Sequence, residues 1–293
     1  MSIFAYDFMQ RALIGVLITG LSAPALGIYL VQRRMALIGD GIGHIALTGV
    51  GLALLTGGQP VLTAVVVSAL GAVAVELIRE RGKASGDIAL ALLFYGGISG
   101  GVFLVALSSG RTNANLMAYL FGSPLTTSRE DLVVMAVLAG VVLAVTLLLR
   151  PWLFAICQDE EYARVAGLPV RALNILLAVT TAVTVTVAMR AVGLLLVSAM
   201  MVVPVAAAQL VTRGFRTTMH LAMLIGLVAA GAGIGVAGVY DTAPGATIVL
   251  VAIGIFAALA SAMAVQRSWR RSSRRRSSQA GADVEPPDVV LQS

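Results

Sequence analysis

Long apolar stretches separated by short polar segments dominate the chain. Each is long enough to cross a bilayer of about 30 Å as an α-helix. They cover residues 9–31, 41–57, 61–78, 88–108, 131–149, 172–189, 191–212, 218–239 and 244–264. Gly, Ser and Pro interrupt the second and the seventh, so an eight-span version with one re-entrant stretch is the alternative. The pattern predicts an all-α polytopic membrane protein with eight to nine transmembrane helices.

The composition agrees with this fold class. The 293 residues are 59% hydrophobic and 12% charged, whereas soluble domains carry about 25% charged residues. Met1–Gln10 contains Asp7 and no basic residue, which does not fit a cleaved signal peptide. Cys157 is the single cysteine, so an intrachain disulfide is excluded.

The distribution of basic residues predicts the orientation. With nine spans and the N-terminus outside, sixteen of the twenty Lys and Arg residues lie on the cytoplasmic side, as the positive-inside rule requires. We therefore expect a multi-pass membrane protein with a cytoplasmic C-terminus. Glu76, Arg79 and Glu80 are predicted to form the water-facing end of the third span.

The net charge of +6 comes largely from six arginines within Arg267–Arg276. A basic cluster directly after a span favours anionic membrane lipid over nucleic acid as its partner. Residues 1–265 are thus predicted to form the transmembrane domain. Residues 266–293 are predicted to be a basic, disordered cytoplasmic tail.

Two connections are longer than a turn. The outer one, 108–131, contains a segment predicted to form a short interfacial helix ending at Gly122. The inner one contains segment 158–169, in which Asp159, Glu160 and Glu161 precede a run that Gly167-Leu-Pro ends. These are start and stop signals of a short helix. Its place on the cytoplasmic face suits the docking of a soluble partner.

Asp40 and His44 are the strongest candidates for a functional site. Their spacing of four places a carboxylate and an imidazole on one face of a helix, and ionisable groups within a membrane span are costly. Helix capping alone would explain Asp40, and a buried imidazole bonded to a backbone carbonyl would explain His44. Their occurrence together among Gly39, Gly41 and Gly43 favours an ion path.

Two ligands are too few to hold a transition metal with useful affinity. A symmetric dimer would supply two carboxylates and two imidazoles, a set that suits Zn²⁺, Mn²⁺ or Fe²⁺ better than Ca²⁺. The other histidine, His220, follows Arg213 and Arg216 and is predicted to lie at a membrane boundary rather than to bind metal.

Four segments of the chain resemble the permease subunits of ATP-binding-cassette importers for zinc, manganese and iron, whose architecture is related to that of corrinoid and siderophore permeases. The segments are Arg34-Met-Ala-Leu-Ile-Gly-Asp40-Gly-Ile-Gly-His44, Leu120-Phe-Gly-Ser123, Asp159-Glu-Glu-Tyr-Ala163-Arg-Val-Ala-Gly167-Leu-Pro169, and Val192-Gly-Leu-Leu-Leu-Val-Ser-Ala-Met-Met-Val-Val-Pro204. Their order and spacing extend the likeness over residues 10–265.

The resemblance implies a homodimer of permeases in the bacterial inner membrane, two cytoplasmic ATPase subunits and an extracytoplasmic metal-binding protein. It places Asp40 and His44 in the metal path. It also assigns the ATPase-coupling role to Asp159, Glu160, Glu161, Ala163 and Gly167. The chain departs from the family pattern at Gly43, where serine is usual.

The chain has no Gly-x-x-x-x-Gly-Lys-Ser/Thr motif for ATP, and its only lysine is Lys83. The chain is therefore predicted not to be an enzyme and to hold no permanent cofactor, with ATP hydrolysed by a partner subunit. The transported ion would be Zn²⁺, Mn²⁺ or Fe²⁺, since nitrogen and oxygen ligands accept all three. A permease for metal chelates and an intramembrane metalloenzyme are the alternatives.

Overall fold

The computed structural model describes residues 7–80, 86–108, 122, 128–240 and 242–282. Every regular element in these ranges is an α-helix. The helices are α1 Asp7–Gln32, α2 Ile38–Thr56, α3 Pro60–Glu80, α4 Gly86–Leu107, α5 Arg129–Leu148, α6 Arg150–Gln158, α7 Glu160–Val165, α8 Val170–Val192, α9 Leu194–Val211, α10 Phe215–Tyr240 and α11 Pro244–Ala282.

Nine of the helices in the described ranges are long and apolar enough to span a membrane. The two doubtful stretches form the continuous helices α2 and α9, and Pro204 lies inside α9. The predicted fold class is confirmed in its nine-span form.

The helices pack around a core made largely of α1, α2, α8 and α9. Helices α5 and α11 lie at the periphery, where most of their surface is uncovered. Gly20 of α1 lies against the backbone of Gly226 in α10, so neither position has room for a larger side chain without movement. Such close approach through small residues is how membrane helices gain packing energy, because lipid is as apolar as their side chains.

Helix α6 is an element that the sequence pattern did not predict. Its Leu153 and Ile156 are buried, while Trp152 is half exposed. The helix is only 9 residues long, which is too short to produce a membrane-length hydropathy signal. It leads directly into the predicted cytoplasmic helix.

The last helix continues well past its membrane-length portion. It ends at Ala282, which differs from our prediction that the tail is disordered from residue 266. Arg, Ala and Gln favour helix, and extending an existing helix avoids the cost of nucleation. Residues 283–293 lie outside the described ranges. So does most of the predicted interfacial helix of the outer connection, apart from Gly122.

Candidate functional site

Asp40 lies in the first turn of α2. The helix begins at Ile38, ahead of the apolar stretch at 41–57, and Leu37 occupies the N-cap position without a side-chain capping hydrogen bond. Asp40 is therefore not the N-cap residue. An N-cap role is thus excluded, while a carboxylate in the first turn still suits the positive end of the helix dipole.

Asp40 and His44 line the same cavity, which has a volume of about 440 Å³. The other lining residues are mostly apolar and come from α2, the connection before it, α9 and α11. They include Leu194, Ser198, Val202 and Val249. A mostly apolar cavity with a few converging polar groups is the usual form of a small-ligand site.

The ring of His44 is held by aromatic packing. Its centroid lies 4.6 Å from that of Phe94 in α4, with an interplanar angle of 82°, the edge-to-face arrangement that aromatic pairs prefer. Within the described ranges, His44 Nδ1 is buried and has no hydrogen-bond partner. Among the described residues, no backbone carbonyl therefore accepts a hydrogen bond from Nδ1, which is the bond that the structural explanation would place there.

Helix α4 approaches α2 closely at the site because residue 97 is glycine. A Cβ atom on Gly97 would lie 2.6 Å from the carbonyl carbon of His44. The Thr48 hydroxyl donates a hydrogen bond of 2.8 Å to the Gly97 carbonyl. These contacts restrict movement of the backbone at His44, while Phe94 packs against its ring.

Gly43 packs directly against Leu194, the first residue of α9. A side chain at position 43 would clash with the end of the Leu194 side chain. Leu194 also lines the cavity. Residue 43 therefore controls how far Leu194 extends toward the two candidate ligands.

No group of three or more His, Cys, Asp and Glu side chains suitable for a metal occurs in the part of the chain that the structure describes. Asp40 and His44 therefore remain the two predicted ligands at this cavity. His220 is exposed near the start of α10 and does not line this cavity.

The predicted cytoplasmic helix is α7, and its ends have the expected chemistry. The Asp159 carboxylate accepts hydrogen bonds from the N–H groups of Glu161 (3.0 Å) and Tyr162 (2.9 Å), as an N-cap does. At the other end, Gly167 has a φ of +82°, and the Leu168 N–H donates to the Ala163 carbonyl at 3.1 Å. This is a Schellman motif, for which glycine is the favoured residue.

The two faces of α7 differ in exposure. Ala163 is fully buried against the bundle, whereas Tyr162 and Val165 are 70% and 88% exposed. An aromatic and an aliphatic side chain uncovered on so short a helix form a typical contact for a protein partner. Glu161 is also exposed.

Glu160 turns away from this exposed face. Its carboxylate accepts hydrogen bonds of 3.2 Å from Arg79 Nη2 and from Asn174 Nδ2. The sequence grouped Glu160 with Glu161 as one acidic start of the segment. The structure separates them: Glu161 is exposed, whereas the Glu160 side chain is 28% exposed and bonded to the bundle.

Glu76 is buried, which corrects the prediction that the end of the third span reaches water. It is 3% exposed and accepts hydrogen bonds of 2.6 and 3.1 Å from Arg79. Arg33 Nη2 lies 3.8 Å from Glu76 Oε1 and 3.6 Å from Glu160 Oε2. Sequence reasoning treated Arg33 only as a topology marker. The sequence does show charged residues at the ends of two different spans. Their positions along the chain, however, do not indicate that they lie together in the fold.

Comparison with known proteins gives the family context. The family model described as the ABC 3 transport family matches residues 5–264. The manganese transport system membrane protein MntC of Halalkalibacterium halodurans is 33% identical over 256 residues, with 87% of each chain covered. The chelated iron transport system membrane protein YfeD of Yersinia pestis is 35% identical over 248 residues, which are 85% of this chain and 83% of YfeD.

A solved structure agrees with these relatives. PsaBC from Streptococcus pneumoniae in complex with Fab superimposes with a TM-score of 0.76 at 27% identity. The alignment covers 87% of this chain and 91% of the other. The likeness therefore extends over most of the chain rather than over one motif.

Proposed function

Because this chain belongs to the ABC 3 transport family, we propose that it is the permease subunit that imports a divalent transition-metal ion into the bacterial cytoplasm. A separate ATPase subunit supplies the energy. The permease itself is not an enzyme, in keeping with relatives that are membrane subunits of transport systems. This membership also argues against the intramembrane metalloenzyme.

The observation that carries the proposal is the meeting of Asp40 and His44 at one cavity between α2 and α9. A carboxylate and an imidazole suit Zn²⁺, Mn²⁺ and Fe²⁺. An unpaired ionisable group within a span is expensive, so it is expected where an ion passes. A carrier must also release its ion, which a sparse ligand set favours.

A second copy of the chain completes the site in this proposal. Two copies related by a two-fold axis would contribute two carboxylates and two imidazoles, close to the four ligands of a typical zinc site. The ion passes between the copies and reaches the cytoplasm from the inner end of α2.

ATP hydrolysis is coupled to transport through α7. The exposed side chains of Glu161, Tyr162 and Val165 contact the ATPase from the cytoplasmic side. ATP binding closes the ATPase pair and displaces α7, which opens the path outward. Hydrolysis resets the permease toward the cytoplasm. An extracytoplasmic binding protein delivers the metal, and the C-terminus remains inside.

The test is uptake of ⁵⁴Mn²⁺ and ⁶⁵Zn²⁺ by cells that carry Asp40→Ala or His44→Ala at unchanged membrane abundance. We expect uptake of the transported ion to fall at least tenfold in both variants, because each removes half of the ligands. His220→Ala is the matched control, since its imidazole is exposed away from the cavity. Normal uptake by both site variants would rule out the proposed site.

A permease for metal chelates is the second candidate. The cavity, at about 440 Å³, is larger than a bare ion requires, and one relative is named for chelated iron. Competition between free metal and the same metal bound to a siderophore separates the two functions. A chelate permease would not depend on Asp40 and His44.

A further inference from the structure

Four charged side chains from three parts of the chain meet beside the docking helix α7. They are Arg33 after α1, Glu76 and Arg79 of α3, and Glu160 of α7. We call them the charge cluster. The side chains of Arg33 and Glu76 are only 7% and 4% exposed. These two positive and two negative charges offset part of one another's desolvation. The exposed Arg164 of α7 also lies 3.8 Å from Glu160 Oε1.

Stability alone is a weak explanation for this arrangement. Apolar side chains of similar volume would hold the same helices together at least as well, because buried ion pairs recover little more than their desolvation cost. What charges add is sensitivity to small displacements, since both hydrogen bonds and Coulomb energy depend steeply on geometry.

Glu160 joins α7 to the transmembrane bundle. Its two carboxylate oxygens are used separately: Oε2 accepts from Arg79 of α3, and Oε1 accepts from Asn174 of α8, both at 3.2 Å. Any movement of α7 therefore acts through Glu160 on two membrane-spanning helices.

Arg33 lies between two carboxylates without a hydrogen bond to either. Its Nη2 atom is buried and has no hydrogen-bond partner in the described ranges, although Glu160 and Glu76 are 3.6 and 3.8 Å away. Burial lowers the pKa of Arg33, and the nearby Arg79 lowers it further. A small displacement of Glu160 changes which carboxylate Arg33 approaches more closely.

The backbone after Arg33 leads tightly into the metal-site helix. Arg34 has a φ of +59°, the Met35 N–H donates to the Leu30 carbonyl at 2.9 Å, and the Ile38 N–H donates to the Met35 carbonyl at 3.1 Å. Because this connection is compact, Arg33 and the first turn of α2, which contains Asp40, have little freedom to move independently.

We propose that Glu160 is a positioning residue for transport: it transmits the movement of α7 through Arg33 to Asp40, rather than contacting the ATPase. This inference rests on the proposed function, because it needs an ATPase docked on α7 and an ion at Asp40. Under this proposal the two glutamates at the start of α7 have different roles. Glu160 faces the bundle and transmits the movement, whereas Glu161 faces outward and contacts the ATPase.

The test compares Glu160→Gln with the wild-type chain. Each is co-expressed with its ATPase subunit, purified as a complex and reconstituted in proteoliposomes with the binding protein. We expect the Glu160→Gln complex to retain its ATPase and to hydrolyse ATP within about twofold of wild type. The number of Mn²⁺ or Zn²⁺ ions transported per ATP should fall at least tenfold.

Glu80→Gln is the matched control. Glu80 also ends α3 and pairs with Arg171 of α8 at 3.3 Å, but within the described ranges it forms no ion pair with α7. We expect its ratio of ions to ATP to equal that of wild type. Glu160→Asp, which keeps the charge but shortens its reach, should give an intermediate ratio. If Glu160→Gln does not accumulate in the membrane, the same measurement is made with Glu160→Asp instead.

Two results would overturn the inference. An unchanged ratio in Glu160→Gln and Glu160→Asp would make Glu160 a simple anchor, and loss of the ATPase from these complexes would make it a docking contact. Failure of the wild-type complex to transport metal or to retain an ATPase would instead contradict the proposed function.

Discussion

Leu194 occupies the space beside Gly43 that a side chain at position 43 would need. The end of the leucine side chain lies directly over the glycine, and Leu194 forms part of the cavity wall next to Asp40 and His44. The sequence marked Gly43 as a departure from a serine in the family pattern. The structure shows that Leu194 fills the space this departure leaves, so the two positions form one packing unit.

Gly43→Ser is expected to lower both stability and uptake. The new side chain must displace Leu194, and overpacking of this kind costs about 1–3 kcal/mol. Since Leu194 lines the cavity, the displaced side chain would move into the path. The midpoint of thermal unfolding in detergent and the rate of Mn²⁺ uptake measure the two effects.

The double variant Gly43→Ser/Leu194→Ala tests whether the two positions are coupled. We expect it to be more stable than the sum of the single variants by about 1–3 kcal/mol. Gly96→Ser is the control, since nothing lies within 4 Å of its Cβ position. If the changes in the free energy of unfolding are purely additive, positions 43 and 194 are not energetically coupled.

Removal of the exposed docking side chains should release the ATPase. Tyr162→Ala/Val165→Ser deletes most of the exposed apolar surface of α7, and aromatic contacts at the centre of an interface are worth at least about 2 kcal/mol. Affinity for the ATPase should fall about 30-fold or more, measured by co-purification at graded protein concentrations. Tyr240→Ala is the control because Tyr240 is equally uncovered, at 73% exposure, but belongs to the distant end of α10. Equal retention by both variants would contradict docking on this face.

Phe94→Leu should weaken metal binding without unfolding the protein. Leucine keeps much of the volume but loses the edge-to-face contact with His44, which is worth about 0.5–1.5 kcal/mol. The KM for Mn²⁺ or Zn²⁺ uptake should therefore rise about 2- to 10-fold. Phe103→Leu, on the exposed face of the same helix, should leave KM unchanged. A KM that does not move in Phe94→Leu would mean that the ring of His44 is oriented by something else.

The thiol of Cys157 should react slowly with maleimide near neutral pH and should need an unusually high pH to react quickly. Burial, with a smaller contribution from the nearby Glu160, raises the pKa of its thiol from 9.0 to about 11, although Arg33 acts in the opposite direction. Since the thiolate is the reactive form, maleimide labelling at pH 8 should be about 100-fold slower than in the unfolded chain.

The pH dependence of labelling separates the raised pKa from simple shielding. The labelling rate of the folded protein should keep rising above pH 9, whereas that of the unfolded chain levels off there. A plateau at or below pH 9 in the folded protein would contradict the raised pKa. Because the folded state keeps the proton that the unfolded state loses, the free energy of unfolding should decrease between pH 9 and 11.

The spans and helix α7 were predictable because each depends on local information. Hydropathy over a membrane length fixes a span, and the signals at Asp159 and Gly167 lie within the segment whose ends they set. Helix α6 was missed because nine residues produce no membrane-length signal. The tail was predicted as disordered from composition, yet the preceding span continues as helix to Ala282.

By itself, the sequence determined the all-α fold of eight or nine spans, the place of Asp40 and His44 on one helix, and the position of the short helix α7. Only the tertiary structure decided that Leu194 packs over Gly43, that Phe94 holds the imidazole, and that Arg33, Glu76 and Glu160 share one buried cluster. The physical reason is the range of the forces involved. Hydropathy and capping act between neighbours in the chain, whereas packing and ion pairing join residues that only the folded bundle brings together.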